Sequence, residues 1–452
     1  MKRAAKLVTL LLFATFIALF VGKPVASKVM KLLGFDRVIE QNADRMLADG
    51  RQTFRYETFG DEAFWGGQLQ LHEAIQGERF GGVGPGVNPK TALAVGLKVD
   101  VDALPPGIVK QIRQGKVDLD DPAVTLALLR HDAVVGVKGN FAADDTLNSV
   151  GITCALCHSN VDNSFAPGIG KRLDGWANRD LNVGAIIALA PNLQPFSDLL
   201  GADQDTVRAV LRGWGPGKFD AELVLDGKAF NPQQISNGVV TGTNVPGATL
   251  IPPAFGLAGV NLHTWTGWGG VSHWNAFVAN LEMHGSGTFF DPRLNDPVKF
   301  PLAAANNFGN VRNTPDLITP KLAELHFYQL AIPAPKPPDG SFDAAAAGRG
   351  DDLFEGKATC ARCHVPPLYT EPGWNMHRPE DVCVDSFQAN RSPDERYRTS
   401  PLKGLWTHQT PGFYHDGRFP DLLAVVNHYN NCLSLGLNDQ EKADLVQYLK
   451  SL

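Results

Sequence analysis

The first apolar residues of the chain form one uninterrupted segment near the N-terminus. Three basic residues within the first six positions precede the uncharged run LVTLLLFATFIALFVG, which ends before Lys23. A basic head followed by such a run is typical of an export signal. Roughly 16 apolar residues are few for a membrane-spanning helix, which needs about 20. We therefore predict that residues 1–28 are a signal peptide, with an uncleaved N-terminal anchor as the alternative.

Further along the chain, apolar residues recur mostly at helical spacing. Val38, Ala43 and Met46 form a loose stripe, and Gly50 is the predicted end of that helix. Residues 99–139 also have a helical pattern. These periods predict a mostly α-helical chain.

Capping signals and a proline-rich segment divide the rest. Asp121 precedes Pro122 at one predicted helix start, and Asn438 with Glu441 forms a capping box at the last one. Residues 331–343, AIPAPKPPDGSFD, are rich in proline and are predicted to be a linker.

Composition indicates a globular protein without affinity for nucleic acid. Apolar residues make up 44% and charged residues 19% of the 452 positions, which is too apolar for a disordered chain. The net charge is −6 and no long basic run is present, so nucleic acid is not an expected partner.

Four of the six cysteines lie in two C-x-x-C-H pentapeptides, at 154–158 and 360–364. In c-type haem attachment, two thiols bond the porphyrin and the adjoining histidine is the proximal iron ligand. A zinc site would need ligands from motifs about 200 residues apart, and a redox dithiol needs no histidine. The sequence therefore predicts two covalent haem c groups, held by Cys154, Cys157, His158, Cys360, Cys363 and His364.

The two motifs and the linker predict the domain organisation. We expect an N-terminal helical extension over 29–140, a first haem domain with the catalytic haem over 141–330, and a second, electron-transfer haem domain over 344–452. The leftover Cys383 and Cys432 are expected to form a disulfide in an oxidising compartment. Two buried thiols are the alternative.

The C-terminal run YRTSPLKGLWTHQTPGFYHDGRFPDLLAVVNHYNNC, with LGLNDQEKADLVQYLKSL after it, resembles the bacterial di-haem cytochrome c peroxidase superfamily, which includes MauG. The likeness covers the second domain well and the first loosely. The central, tryptophan-rich region looks more like the haem-containing rubber oxygenases of that superfamily. The resemblance implies peroxide chemistry at the first haem and electron storage and relay at the second.

The resemblance also implies a calcium ion between the haem domains. Asn182 matches the asparagine ligand, and Thr410 and Gly412 match carbonyl ligands. An ordinary turn or capping role is the alternative for Asn182.

The sixth ligand of the second haem has two candidates. The family position, fourteen residues after His415, is Tyr429, whereas His428 is the stronger intrinsic ligand. Successive helical residues point about 100° apart, so only one of the two can reach the iron. His415 itself is a remoter candidate.

No histidine lies between His158 and His263, so the distal face of the first haem is predicted to be open. His263, His273 or His284 folding back over the iron is the alternative. Glu282 matches the family's distal glutamate, which moves a proton between the peroxide oxygens; an exposed helix glutamate is the other interpretation. Four aromatic side chains of this region have three possible roles: they line the distal pocket, they carry electrons between the haems, or they belong to the hydrophobic core. They are Trp265, Trp268, Trp274 and Phe277.

Three functions remain open on the sequence. The first is an exported peroxidase that reduces hydrogen peroxide with electrons from a small periplasmic donor, a cytochrome c or a cupredoxin. The second is an oxygenase-type enzyme that uses dioxygen on an apolar organic substrate. The third is a non-enzymatic electron carrier, although the chain is longer than two carrier domains require. A membrane is expected as a partner only through the N-terminal anchor.

Overall fold

The computed structural model describes residues 23–236, 239–242, 245–408, 410 and 412–452. Most of the predicted signal or anchor, residues 1–28, lies outside the described residues. Two compact units are distinguished, Met1–Asp49 and Gly50–Leu452. The predicted domain boundaries inside the second unit stay predictions.

Helix outweighs strand, 44% against 12%, in agreement with the predicted mostly α class. The α-helices are α1 Lys23–Tyr56, α2 Leu71–Gln76, α3 Pro89–Ala94, α4 Pro106–Arg113, α5 Pro122–Arg130, α6 Ala155–His158, α7 Val183–Ile187, α8 Gln194–Leu200, α9 Gln204–Gly213, α10 Leu223–Asp226, α11 Val271–Phe277, α12 Pro301–Ala305, α13 Leu322–Ala331, α14 Ala344–Glu355, α15 Phe387–Asn390, α16 Leu422–Cys432 and α17 Asp439–Ser451. Two π-helical turns, Ala63–Gln68 and Val278–Glu282, accompany them.

The strands are short and pair two at a time. They are β1 Val99–Asp100, β2 Val137–Phe141, β3 Leu147–Ile152, β4 Ser159–Val161, β5 Ile169–Gly170, β6 Arg172–Asp174, β7 Lys218–Phe219, β8 Phe230–Asn231, β9 Gln234–Ser236, β10 Val239–Gly242, β11 Val245–Pro246, β12 Thr249–Leu250, β13 Thr288–Phe290 and β14 Asn310–Arg312. The pairs are β1–β5, which is parallel, and the antiparallel β2–β3, β4–β6, β7–β12, β8–β11, β9–β10 and β13–β14.

The sequence pattern predicts that the first helix ends at Gly50, but the helix continues to Tyr56. Gly50 lies inside α1, and a Cβ atom at this position would come within 2.0 Å of the Glu324 carbonyl oxygen on α13. The glycine is therefore needed for a close approach of backbone, which outweighs its poor helix propensity.

The predicted helical reading of residues 99–139 is only partly right. Helices α4 and α5 lie there, and Asp121 caps α5 by accepting a hydrogen bond from the Ala123 N–H. The end of the segment, however, belongs to the β2–β3 hairpin, which leads directly into the first C-x-x-C-H motif. Only residues 137–139 of the hairpin fall in the predicted helical segment, and so short a stretch has no clear period.

The second C-x-x-C-H motif follows α14, which packs tightly against α17. A Cβ atom at Gly350 of α14 would lie 2.3 Å from the Asp444 carbonyl oxygen of α17, so the two backbones nearly touch. The predicted capping box starts α17, with Asn438 and Glu441 bonding each other's backbone N–H groups. Phe354, Leu445 and other apolar side chains from α14 to the C-terminus form one core cluster.

Among the described residues, no helix is both long enough and apolar enough to cross a membrane.

The predicted disulfide between Cys383 and Cys432 is confirmed. The Cα atoms are 6.0 Å apart, within the usual range for a disulfide, and the sulfurs are bonded. The bond ties the end of α16 to the segment that follows the second motif.

Removing this disulfide should destabilise the region around the second motif. The bond closes a loop of 49 residues, and the chain-entropy model gives such a loop a stabilisation of ~4 kcal/mol. We expect a Cys383→Ser, Cys432→Ser double variant to unfold at a lower denaturant concentration, followed by circular dichroism. Reductant should lower the wild-type midpoint and leave the variant unchanged; a wild-type midpoint insensitive to reductant would contradict the prediction.

Candidate functional site

The first motif forms the single helical turn α6 directly after β3. Gly136 has φ +78, and a Cβ atom there would lie 2.1 Å from the Leu156 backbone, so only glycine lets the chain pass this close to the motif. Cys154 and Cys157 are free thiols, and burial raises the pKa of each to about 12. They are therefore protonated and are not joined to each other.

The two motif histidines are held in the same way. His158 Nδ1 lies 3.1 Å from the Pro252 carbonyl oxygen, and His364 Nδ1 lies 3.1 Å from that of Tyr369. A carbonyl oxygen only accepts, so each Nδ1 carries the proton and each Nε2 offers its lone pair to a metal. Burial lowers the pKa of His158 to about 4, which keeps the ring neutral. Two free thiols beside an oriented imidazole fit a covalent haem at each motif.

A mostly apolar cavity lies in the core cluster against which Cys157 of the first motif packs. Aliphatic side chains and four aromatic ones line it, and three ionisable side chains interrupt this apolar surface, namely those of Asp220, Glu282 and His284. The aromatic residues, which the sequence reasoning missed, are Trp65, Phe196, Trp214 and Phe219.

Both π-helical turns contribute to this cavity. Trp65, from the first turn, donates its indole N–H to the Met283 carbonyl oxygen at 2.9 Å, and Glu282 ends the second turn. Phe64 stacks on the His284 ring with centroids 3.5 Å apart. Because π-turns are rare and concentrate at functional sites, their meeting here marks the cavity as a candidate site.

Glu282 faces the cavity and is not an exposed helix residue. Its Oε1 atom is buried without a hydrogen-bond partner in the described structure. Burial, and then the neighbouring Glu222 and Asp220 carboxylates, raise the pKa of Glu282 well above its usual value. Its charge also raises the pKa of the Cys157 thiol, so the carboxyl lies close to the haem-attachment motif. The Glu282 carboxylate is therefore a stronger base than that of an exposed glutamate.

Of the three histidines that were alternatives at the first haem, one reaches the cavity. His284 lines it from a left-handed backbone conformation, φ +62, and burial lowers the pKa of its ring to about 4. His263 Nε2 lies 3.1 Å from the Val260 carbonyl oxygen and His273 Nε2 lies 3.1 Å from Asp291 Oδ2.

The tryptophan-rich stretch is mainly core. The ring centroid of Trp268 lies 5.1 Å from that of Trp274 and 5.7 Å from that of Phe277, and all three side chains belong to one buried cluster. Trp265 donates its N–H to the Leu250 carbonyl oxygen. None of the four belongs to the described lining of the cavity.

The two candidate ligands of the second haem point in different directions from α16, as expected. The Tyr429 hydroxyl lies 2.7 Å from that of Tyr414 and is close enough to the second motif for the Cys360 and Cys363 thiols to act on its pKa. His428 Nε2 instead lies 2.8 Å from the Val382 carbonyl oxygen.

His415 lies elsewhere, with its ring stacked on Tyr397 and Nε2 lying 3.4 Å from an Arg418 nitrogen.

The calcium candidates have ordinary structural roles in the described chain. Asn182 caps α7, because its Oδ1 accepts the Ala185 N–H at 3.0 Å. Thr410 is exposed, and Gly412, with φ +142, is closely packed against the Phe419 carbonyl oxygen. The calcium site stays a prediction.

A pair of indole rings joins the segment that follows the first motif to the segment that follows the second. The Trp176 and Trp406 rings meet edge to face with centroids 5.3 Å apart. Gly175, next to Trp176, donates its N–H to the His158 carbonyl oxygen at 2.8 Å. Trp406 follows the second motif in sequence and donates its indole N–H to Pro335 in the predicted linker.

Comparison with known proteins finds similarity to a curated cytochrome-c peroxidase. No family model matches the chain. The chain is 28% identical to the cytochrome-c peroxidase IdrP1 of Denitromonas iodatirespirans in a region covering 24% of this chain and 40% of that protein. The resemblance stated from the sequence is confirmed by this relative. The chain thus spans less than half the length of the curated relative it matches.

Two solved structures are distantly similar. Hydrazine synthase of Kuenenia stuttgartiensis is 19% identical, with a TM-score of 0.28 over 45% of this chain and 72% of that chain. A MauG-like protein associated with microbial copper homeostasis is also 19% identical, with a TM-score of 0.30 over 50% of this chain and 77% of that chain.

Proposed function

We propose that this chain is an exported di-haem c-type cytochrome that reduces hydrogen peroxide at the first haem, with electrons relayed by the second. The observation that carries the proposal is the buried, unpartnered carboxyl of Glu282 in an apolar cavity beside Cys157. An electron carrier needs no cavity of this kind. When bound, haem supplies an iron that accepts peroxide as a ligand and exchanges electrons with it.

The residues around the first motif would perform three tasks. His158 would hold the iron from one side through its free Nε2, oriented by the Pro252 carbonyl. The aromatic wall would exclude bulk water, which strengthens electrostatic interactions inside the cavity. Glu282 would take a proton from one peroxide oxygen and return it to the other, the role of a general acid and base.

The second haem would be held by His364 and Tyr429. The Tyr429 hydroxyl lies near the second motif, whereas the nearest polar partner of His428 is a backbone carbonyl. Tyr414, hydrogen-bonded to Tyr429, would tune this ligand. The Trp176–Trp406 pair would connect the two haem regions for electron transfer, since the rings touch edge to face.

The electron donor would be a small periplasmic cytochrome c or cupredoxin, and a calcium ion between the haem regions remains part of the proposal. A second function also has a supporting observation. The apolar lining of the cavity would suit oxidation of an apolar organic molecule with dioxygen.

Spin states of the two irons in the oxidised holoprotein test the proposal. We expect one high-spin haem, open on its distal side, and one low-spin haem with two protein ligands, recorded by electron paramagnetic resonance. Cyanide should bind the high-spin haem without prior reduction. The protein should consume peroxide with electrons from a reduced cytochrome c. Two low-spin irons unaffected by cyanide would favour the electron carrier, and consumption of dioxygen in place of peroxide would favour the oxygenase.

Matched variants assign the ligands in the same spectra. His284→Ala should leave the high-spin signal unchanged, because an open first iron has no imidazole to lose. Tyr429→Phe should alter the low-spin signal, whereas His428→Phe should not. Conversion of a low-spin first haem to high spin by His284→Ala would contradict the open site.

A further inference from the structure

A second acidic side chain faces the same cavity as Glu282. Asp220 is buried, with 1% of its surface exposed, and lines the cavity together with Glu282. One oxygen of each carboxyl, Asp220 Oδ2 and Glu282 Oε1, lacks a hydrogen-bond partner in the described structure. A buried carboxyl oxygen without a partner calls for a bound proton or a water, and both of these oxygens belong to residues that line the cavity.

Asp220 is the near end of a larger buried cluster. Arg391 Nη2 lies 2.9 Å from Asp220 Oδ1, and Arg391 Nε lies 2.9 Å from Asp226 Oδ2. Glu222 lies beside this ion pair, and its Oε2 has no partner in the described structure. Among the described residues, the only other cation near this cluster is Lys228. Its side chain is half exposed and lies 3.9 Å from Asp226.

The charges of this cluster do not balance when every carboxyl is ionised. Arg391 compensates one carboxylate and Lys228 weakly a second, which leaves two of the four carboxyls, counting Glu282, without a cation. Among the described histidine, cysteine and acidic side chains, three donor atoms lie within 4.8 Å of one another at Cys363, Glu371 and His377, and not at this cluster. Protons must therefore neutralise the excess charge.

We propose that Asp220 and Glu222 form a proton-supply pair that delivers protons across the cavity to Glu282. The proposal rests on the peroxidase function above and deepens it. A proton leaves the Glu222 carboxyl for Asp220, and a proton from Asp220 passes through a cavity water to the Glu282 carboxylate. Each transfer breaks one O–H bond and forms another, with no change in oxidation state.

The stoichiometry of the reaction requires such a supply. Reduction of H₂O₂ to two H₂O consumes two electrons, from the donor protein, and two protons. Glu282 only moves a proton that already belongs to peroxide, so it contributes neither of the two. In a cavity closed by aromatic side chains, buried carboxyls are the available proton source.

The acidities support this direction of transfer. Burial raises the pKa of Glu222 to about 7, and the charges of Asp220 and Asp226 add to this rise. The Arg391 charge and a hydrogen bond from the Gln388 amide oppose the rise. Burial likewise raises the pKa of Asp220, against the opposing Arg391 charge and with Asp226 adding to the rise.

Glu222 is therefore protonated below about pH 7 and loses its proton as the pH rises above that value. Burial also holds the pKa of Glu282 well above its usual range, so its carboxylate readily accepts a proton. The neutral His284 ring is the remaining titratable group that faces the cavity.

The test uses the di-haem holoprotein with Asp220→Asn, Glu222→Gln and the control Asp226→Asn. Asp226 binds the same arginine but does not line the cavity. We expect Asp220→Asn to lower kcat for peroxide by at least ~10-fold, which is less than the ~10²–10⁴-fold of a direct general acid because Asp220 acts through Glu282, with KM unchanged. Glu222→Gln should remove the decline of kcat near pH 7. Asp226→Asn should keep kcat at low pH and move the decline to lower pH, because the Asp226 charge adds to the rise in the pKa of Glu222.

A second measurement does not depend on turnover. Cyanide binding to the oxidised holoprotein should shift a carboxylic acid C=O band in the infrared difference spectrum, and the band should be missing in Asp220→Asn. Glu222→Gln leaves the hydrogen bonds of Arg391 intact, so it carries the test if Asp220→Asn does not fold. Equal pH profiles in wild type and Glu222→Gln would overturn the supply pair.

The two proposals fail in different ways. If Glu282→Gln reacts with peroxide at the wild-type rate, the peroxidase function itself is wrong. If Glu282→Gln is impaired while Asp220→Asn and Glu222→Gln keep the wild-type rate and pH profile, only the proton supply is wrong.

Discussion

Replacing Glu282 by glutamine should slow the reaction with peroxide by about 100-fold or more, because positioned acid–base groups contribute ~10²–10⁴-fold. Glutamine keeps the shape and polarity of the side chain but cannot accept and return a proton. The position is buried and faces an apolar cavity, so water cannot easily replace the lost carboxyl. Stopped-flow absorbance of the oxidised holoprotein mixed with peroxide measures the rate directly.

Two controls make this result specific. Glu355→Gln removes an exposed carboxyl at the end of α14 and should leave the rate unchanged. Cyanide affinity of Glu282→Gln should stay close to wild type if the first haem pocket is intact. A normal peroxide rate in Glu282→Gln, together with normal haem content, would show that the carboxyl does not take part in the chemistry.

Local signals in the sequence predicted the parts of the structure that depend on neighbouring residues. The two C-x-x-C-H motifs, the cap at Asp121 and the capping box at Asn438 each act within a few positions, and the described chain contains each of these local features. The Cys383–Cys432 bond was predictable by elimination, because only two cysteines remained outside the motifs.

Features that depend on distant residues were missed or misread. Gly50 was read as a helix end because its partner, the Glu324 backbone, is remote in sequence. Residues 137–139, the start of the hairpin, were predicted to be helical because so short a strand has no clear period of its own. Asp220 and Arg391 are 171 positions apart, since 391 − 220 = 171, and no local pattern could have paired them.

Glu282 illustrates the boundary between these cases. Family resemblance suggested its role, but its local sequence was equally consistent with an exposed helix residue. Its burial depends on Trp65 and Phe196, which come from segments well before it in the chain. The chemistry of a side chain can thus be proposed from sequence, whereas the pKa that makes it useful follows from the tertiary structure.

Replacing His364 by alanine should abolish steady-state peroxide turnover while leaving peroxide binding at the first haem measurable. His364 is oriented by the Tyr369 carbonyl and has its Nε2 free, so its loss removes the proximal ligand of the second iron. Axial ligands set haem potentials over a range of about 0.8 V. A shift of only about 120 mV would change the sharing of an electron between the two haems ~100-fold.

His377→Ala is the matched control, because His377 lies beside Cys363 at the same motif but is not a predicted ligand. It should keep the low-spin signal of the second haem and most of the turnover. In His364→Ala, the low-spin signal should disappear while cyanide still binds the first haem. Loss of cyanide binding in a folded protein that retains both haems would contradict separate roles for the two irons, since their ligands come from motifs 206 positions apart (364 − 158 = 206).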